Sequence, residues 1–202
     1  MLVTGQVGPQ RISDGVSTQP LRQGKDSQVV VDELHGRYLE QGYRGNIFSG
    51  ANQAAQAISV ALATTYTGLL LYNPIGSGKI LVPTKVKFAL SVAPAAIASI
   101  GLIGGFAATG GVTAQTTPVG VQSSQIGNLS KGVGITLSAA TIVTPTWIMQ
   151  LVDGFTAAAL PAPSIPNEMD GSIQVLPGAF IAVGALTAVT GLGSIFWEEI
   201  PL

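Results

Sequence analysis

Three short stretches of this chain hold residue types that do chemistry in other settings. The first surrounds its one histidine: His35 stands between Glu33 and Arg37, with Asp32 and Glu40 nearby. Carboxylates and imidazole are all metal ligands, yet zinc and iron sites draw on a second histidine, or on cysteines, at a set spacing. The chain has one His and no Cys. A solvated or interface histidine is therefore the reading these neighbours support. Without cysteine there are also no disulfides and no thiol nucleophile.

The second stretch is Gly76-Ser77-Gly78-Lys79. A phosphate loop needs a glycine five residues before the Gly-Lys pair, a Ser or Thr after it, and a helix whose first amides face the phosphate. Asn73 and Ile80 occupy those positions, and an alternating strand comes next. This is a tight hairpin loop with a solvated lysine. The third stretch is Glu198-Glu199. Neighbouring side chains of a strand point to opposite faces, so these carboxylates do not form a facing acid–base pair. Phe196 and Glu198 share one face, Trp197 and Glu199 the other. Between Arg44 and Glu198 the only carboxylates are Asp153, Glu168 and Asp170, and nothing sets a serine beside His35. The expectation is no enzyme, no catalytic residue, no metal and no cofactor. Gly101-Leu102-Ile103-Gly104-Gly105 lacks the dinucleotide spacing. Asn128-Leu129-Ser130 is a glycosylation triplet with no secretory signal before it.

The elements that must position these residues are read from periodicity. Leu69, Leu70, Leu71 and Tyr72 lead into Asn73-Pro74-Ile75-Gly76-Ser77-Gly78, then into a segment in which Val82, Thr84, Val86, Phe88, Leu90 and Val92 alternate with Pro83, Lys85, Lys87, Ala89 and Ser91. That is a half-buried strand after a reversing turn, hence a β-hairpin. Candidate strands cover residues 57–63, 67–72, 80–92, 97–107, 119–126, 134–143, 146–152, 171–176, 179–186 and 193–200, with turns at Asp170-Gly171 and Pro177-Gly178. Such spacing points to an all-β sandwich or barrel.

Composition separates the N-terminal part from this body. Ten of the nineteen charged side chains lie in residues 1–44. Residues 1–50 read as an extended arm with at most one or two helical turns near Leu34 and Tyr38, and residues 51–202 as the β domain. Over the whole chain, 47% of residues are hydrophobic but only 9% are charged and 6% aromatic. A surface built mostly of Ser, Thr, Gln, Gly and Ala suits a subunit that neighbours cover. A net charge of −1 leaves no electrostatic footprint for nucleic acid or for an anionic membrane surface. Mean hydropathy is +0.47. The uncharged run 88–130 is broken by Pro94, Gly101, Gly104, Gly105, Gly110, Gly111 and Pro118, so it reads as strands and loops and not as a membrane span.

Several stretches together resemble a family of tailed-bacteriophage virion structural proteins: Asp32-Glu33-Leu34-His35-Gly36-Arg37-Tyr38, Tyr43-Arg44-Gly45-Asn46-Ile47-Phe48, Leu71-Tyr72-Asn73-Pro74-Ile75-Gly76-Ser77-Gly78-Lys79 and Trp197-Glu198-Glu199-Ile200-Pro201. The resemblance runs from about residue 30 to the C-terminus. It implies a jelly-roll-like β-sandwich made in the host bacterial cytoplasm and carried on the phage head as a decoration or cement protein. The implied partners are the major capsid protein and neighbouring copies of the chain itself, as a dimer or trimer. Arg11, Arg22, Arg37 and Arg44 would pair with acidic shell residues, and Tyr38 and Phe48 complete the expected contact set. The alternative is a neck, tail or fibre module that touches host glycan through a loop over residues 104–118.

Overall fold

The computed structural model describes residues 5–6, 21–22, 37–129, 132–155 and 165–202. The chain divides into two units, Met1–Leu39 and Glu40–Leu202. In the first, β1 (Gly5–Gln6) and β2 (Leu21–Arg22) pair in parallel, with Gly5 opposite Leu21. His35 and its acidic neighbours Asp32 and Glu33 lie outside the described residues. A helix of five residues, α1 (Leu39–Tyr43), leads into the second unit. It ends where Gly45 takes a φ of 73°, a conformation glycine adopts without a Cβ penalty.

Beyond α1 the second unit is built of strands: β3 (Ile47–Ala51), β4 (Gln56–Ile58), β5 (Thr65–Tyr72), β6 (Lys79–Leu90), β7 (Ala98–Phe106), β8 (Val112–Val119), β9 (Val121–Ser123), β10 (Ile135–Ile142), β11 (Thr146–Phe155), β12 (Ile165–Glu168), β13 (Ala179–Ala185) and β14 (Val189–Pro201). They form two antiparallel sheets, β11-β7-β13-β5-β10-β8 and β12-β6-β14-β3-β9, with β4 also paired to β14. This is the β-sandwich that the strand spacing implies. Its core lies between the sheets: Leu69, Leu71, Ile100, Leu102, Ile181 and Val183 from one meet Leu81, Val86, Ile195 and Trp197 from the other. Each such side chain contributes about 1.5–3 kcal/mol when fully buried. No helix among the described residues is long and apolar enough to cross a membrane.

The expected hairpin is instead an arch. β5 belongs to the first sheet and β6 to the second, so the turn at 73–78 carries the chain across the sandwich. Asn73 braces it from inside: its Nδ2 donates to the carbonyls of Lys79 and Val175, each at 2.8 Å. Turn residues of the same kind serve a hairpin and an arch, so period two alone cannot separate them. The phase of β6 also differs from its simple alternation. Lys85 pairs with Phe196 but Pro83 with Trp197, so Thr84 is an extra residue in a bulge. Val86 and Phe88 face the core as expected, whereas before the bulge it is Leu81, not Val82, that joins them.

The first sheet carries a second apolar cluster on its outer face: Tyr66, Leu70, Tyr72, Ile103, Leu137, Ile142 and Phe180. The sheet folds over it. Gly68, at φ 127°, breaks β5, and the β5–β10 register slips between Leu137 and Ala139. Beyond that kink, Gly111 N–H donates to Gly178 and Val143 N–H to Gly111, so the β8 and β10 ends close across the face. This is why Leu69, Leu70, Leu71 and Tyr72 are all buried, which a one-faced strand does not require.

Tyr66 seals the cluster with its hydroxyl, 2.9 Å from the Leu69 carbonyl and 2.8 Å from that of Val183. Burial pushes its phenol well above the ordinary tyrosine range, against the smaller pull of the Val183 hydrogen bond. Tyr66→Phe is expected to cost about 1–2 kcal/mol near neutral pH, since it strands buried acceptors. Above the ordinary tyrosine pKa only the unfolded chain ionises here, so that advantage of the native protein is lost as pH rises. Urea denaturation at neutral and strongly alkaline pH should show the gap between Tyr66→Phe and the native protein narrowing; a constant gap would contradict the assignment.

Three expectations about elements need correction. Residues 171–176 make no strand, only one bridge between Val175 and Leu81, because Asp170 and Gly171 at φ 47° and 80° turn the chain away. The supposed loop 104–118 is the end of β7, a turn, and most of β8. Residues 47–50, placed in the arm, belong to β3, inside the second sheet between β14 and β9.

Candidate interaction surface

At the end of the sandwich where β3 and β10 begin and β14 finishes, two loops are locked together. After α1, Gly45 N–H donates to Gly42 O and Asn46 N–H to Gln41 O, each at 3.0 Å, while Asn46 Nδ2 reaches Gln41 Oε1. After β9, Ser124 N–H donates to Ile47 O, and Gln125 Nε2 donates to Tyr43 O at 2.7 Å. Asn128 then closes the turn, its N–H on Gln125 O and its Nδ2 on Gln125 Oε1. The glycosylation-like asparagine thus holds a loop in place.

These bonds hold large apolar groups in water. Ile126 is 92% exposed, Leu129 94% and Tyr43 77%, with Arg44 exposed beside Tyr43. Backbone already fixed by hydrogen bonds loses little further freedom when a partner covers it. Tyrosine and arginine are also the residue types that carry interface energy most often.

The residues expected to touch a partner fall in both units. Arg11 lies outside the described residues, and Arg22 is in β2. Arg37 is exposed with its guanidinium 5.5 Å from the centre of the Tyr38 ring, a cation–π contact. Arg44 belongs to the surface just described. Phe48 does not: it is buried and its ring lies 6.2 Å from that of Trp197, because β3 pairs Phe48 with Trp197 on the inner face. Tyr43, Gln125, Ile126 and Leu129 are the residues sequence reasoning missed. The signal was faint: two amide side chains three apart around a glycine, at the end of a stretch that reads as a strand.

Behind this surface sits a buried ionic hub. Glu199 N–H donates to Asn46 O, tying the last strand to the α1 turn. Its buried carboxylate receives Lys79 Nζ at 2.9 Å, Gly134 N–H at 3.0 Å and Trp197 Nε1–H at 3.3 Å. Lys79 is thus paired, not freely solvated, and Trp197 and Glu199 share a face as their alternation required. Burial alone would raise the Glu199 carboxyl. The donors from Gly134, Lys79, Val133 and Trp197 outweigh it and hold the group below its ordinary value. A carboxylate so saturated is suited to fastening strands together, not to taking a proton from a substrate. Glu198, facing the other way, is pushed upward by burial.

A groove of about 350 Å³ opens elsewhere on the unit, floored by Gly104 and Gly105 and rimmed by Phe106, Thr146, Ile148 and Gln174. Among the described residues no three His, Cys, Asp or Glu side chains gather as a metal site would need. In comparisons with family models, curated proteins and solved structures, none matches this chain.

Proposed function

We propose that this chain is a non-enzymatic structural protein of a tailed-bacteriophage virion, a decoration or cement protein that binds the major capsid protein on the head exterior. The observation that carries the reading is the pre-set apolar surface of Tyr43, Ile126 and Leu129 beside Arg44, a shape made to be covered. The family resemblance of the sequence supports the virion setting.

Strand order supports it as well. β3-β14-β6-β12 in one sheet and β5-β13-β7-β11 in the other is how we read a jelly roll, eight strands wound as two Greek keys, with β8, β9 and β10 inserted between β7 and β11. Capsid and lectin domains use that architecture, so the fold alone does not choose between them. Cement proteins act through many copies, each adding a modest buried area across shell joints. The groove at Phe106 favours a second reading, a neck, tail or fibre module for host glycan, since an aromatic rim with Thr and Gln is how sugars are held.

Quantitative mass spectrometry of purified particles separates the two. Copies near-stoichiometric with the major shell protein are expected. A dozen or fewer would move the chain to the neck, tail or fibres, and none at all would overturn the virion reading.

A further inference from the structure

We infer that the shell contact has a second half, a patch of Ile75, Phe106 and Leu176 on the same end of the sandwich as Tyr43, Ile126 and Leu129. The inference rests on the shell reading and extends its footprint. Three segments build the patch: the arch at 73–78, the turn between β7 and β8, and the turn before β13. Hydrogen bonds join them. Asn73 N–H donates to Ala179 O at 3.0 Å, Gly178 N–H to Asn73 O at 2.8 Å and Gly111 N–H to Gly178 O at 2.7 Å. Phe106 is 59% exposed, Ile75 54% and Leu176 49%. A Cβ added at Gly178 would stand 3.3 Å from Phe106 Cε2 and 3.5 Å from Ile75 Cγ1, so both side chains lie against one glycine. Leu176 is two residues before it.

The two halves are fixed to each other. Asn46 O, in the turn after α1, accepts from Glu199 N–H, and the Glu199 carboxylate holds Lys79. The Lys79 carbonyl accepts from Asn73 Nδ2, and Asn73 O accepts from Gly178 N–H. A bonded chain thus runs from the turn of Tyr43 to that of Phe106. The order β6-β14-β3-β9 sets the span: the loop after β9 and the arch before β6 stand roughly 15 Å apart, at about 4.8 Å per strand.

That span selects the occupant. Side chains of these types cover about 100–200 Å² each, so Tyr43, Ile126 and Leu129 alone supply about 300–600 Å². One side of a stable protein interface contributes about 800 Å². Ile75, Phe106 and Leu176 bring the end toward that size without any change of shape, because their backbone is already held. A shell surface is broad enough to cover both halves at once. A sugar ring stacked on Phe106 is not, and the aliphatic neighbours Ile75 and Leu176 match a protein better than a glycan.

Shells stripped of this chain are the probe. In the full-length protein, Ile75→Asp/Phe106→Asp should weaken co-sedimentation with them by about tenfold or more, with an unchanged melting curve. Ile75→Asp alone leaves the Phe106 ring in place and should lose part of the same binding, which guards against a folding fault in the double variant. Weak binding by Ile126→Asp/Leu129→Asp beside native-like binding by both Ile75 variants would overturn the inference and leave the shell reading standing. Native-like binding by all of them would take this whole end off the shell and overturn both. Intact shell binding with loss of binding to host-surface glycan would give Phe106 to the alternative reading and likewise overturn the inference.

Discussion

Replacing Glu199 with Gln should destabilise the β unit by about 3 kcal/mol at neutral pH, the lower end of the range for breaking a buried charge pair. The lower end applies because the Lys79 side chain is one-third exposed and can turn to water. Gln fills the same space, but its amide cannot accept from Lys79, Gly134 N–H and Trp197 Nε1–H as a carboxylate does. For a unit of this size the loss corresponds to a melting temperature about 5–10 °C lower. The pH dependence gives the sharper signature. Glu199 is held below its ordinary pKa in the folded state, so its contribution is full above the unfolded value of 4.5 and disappears as pH falls through the folded one. Glu198 is raised, which works in the opposite direction and blunts the acid loss of the whole protein. Thermal melts at pH 7 and in the acid range should therefore converge for Glu199→Gln and the native protein. If the two melting curves stay equally far apart at every pH, the buried ion pair is not what holds this end together.

That hub shows where sequence reasoning reaches and where it stops. Alternation correctly placed Trp197 and Glu199 on one face of the last strand, because period two is a local property of the backbone. It could not say that Lys79, 120 residues earlier, would meet Glu199, since a pairing between neighbouring strands of one sheet depends on which distant strands the fold sets side by side. The same gap turned an arch into a hairpin at 73–78. Burial of Leu69 to Tyr72 on both faces was a clue, but it needed the β8–β10 cover to be interpreted. β8 itself escaped notice because residues 113–118 are exposed on both faces and so have no apolar stripe to read. β3 escaped because Gly45, Asn46, Ser49 and Gly50 look like punctuation; Gly50 is instead required by the Thr136 side chain, which leaves its position no room for a Cβ. Of the candidate surface, charge revealed Arg44 alone. An exposed leucine in a neutral turn has no sequence signature that sets it apart from a buried one.

Substituting Ile126 and Leu129 together with Asp should weaken binding to shells stripped of this chain by about a hundredfold or more, the effect of losing two central apolar anchors. Both side chains are almost wholly in water and the loop is held by Gln125, Asn128 and the Tyr43 carbonyl, so the fold has no reason to respond. Co-sedimentation with particles measures the first quantity and a melting curve the second. Arg44→Glu should act differently, slowing association and weakening the salt dependence, since a rim charge mainly steers encounter. Removing residues 2–28 tests the arm by itself. If arm and loop grip the same shell, each contact raises the effective concentration of the other, and the combined variant should lose more than either alone. Native-like binding by the Asp double variant, with the arm still required, would mean that the arm carries the attachment and that Tyr43, Ile126 and Leu129 face something other than the shell.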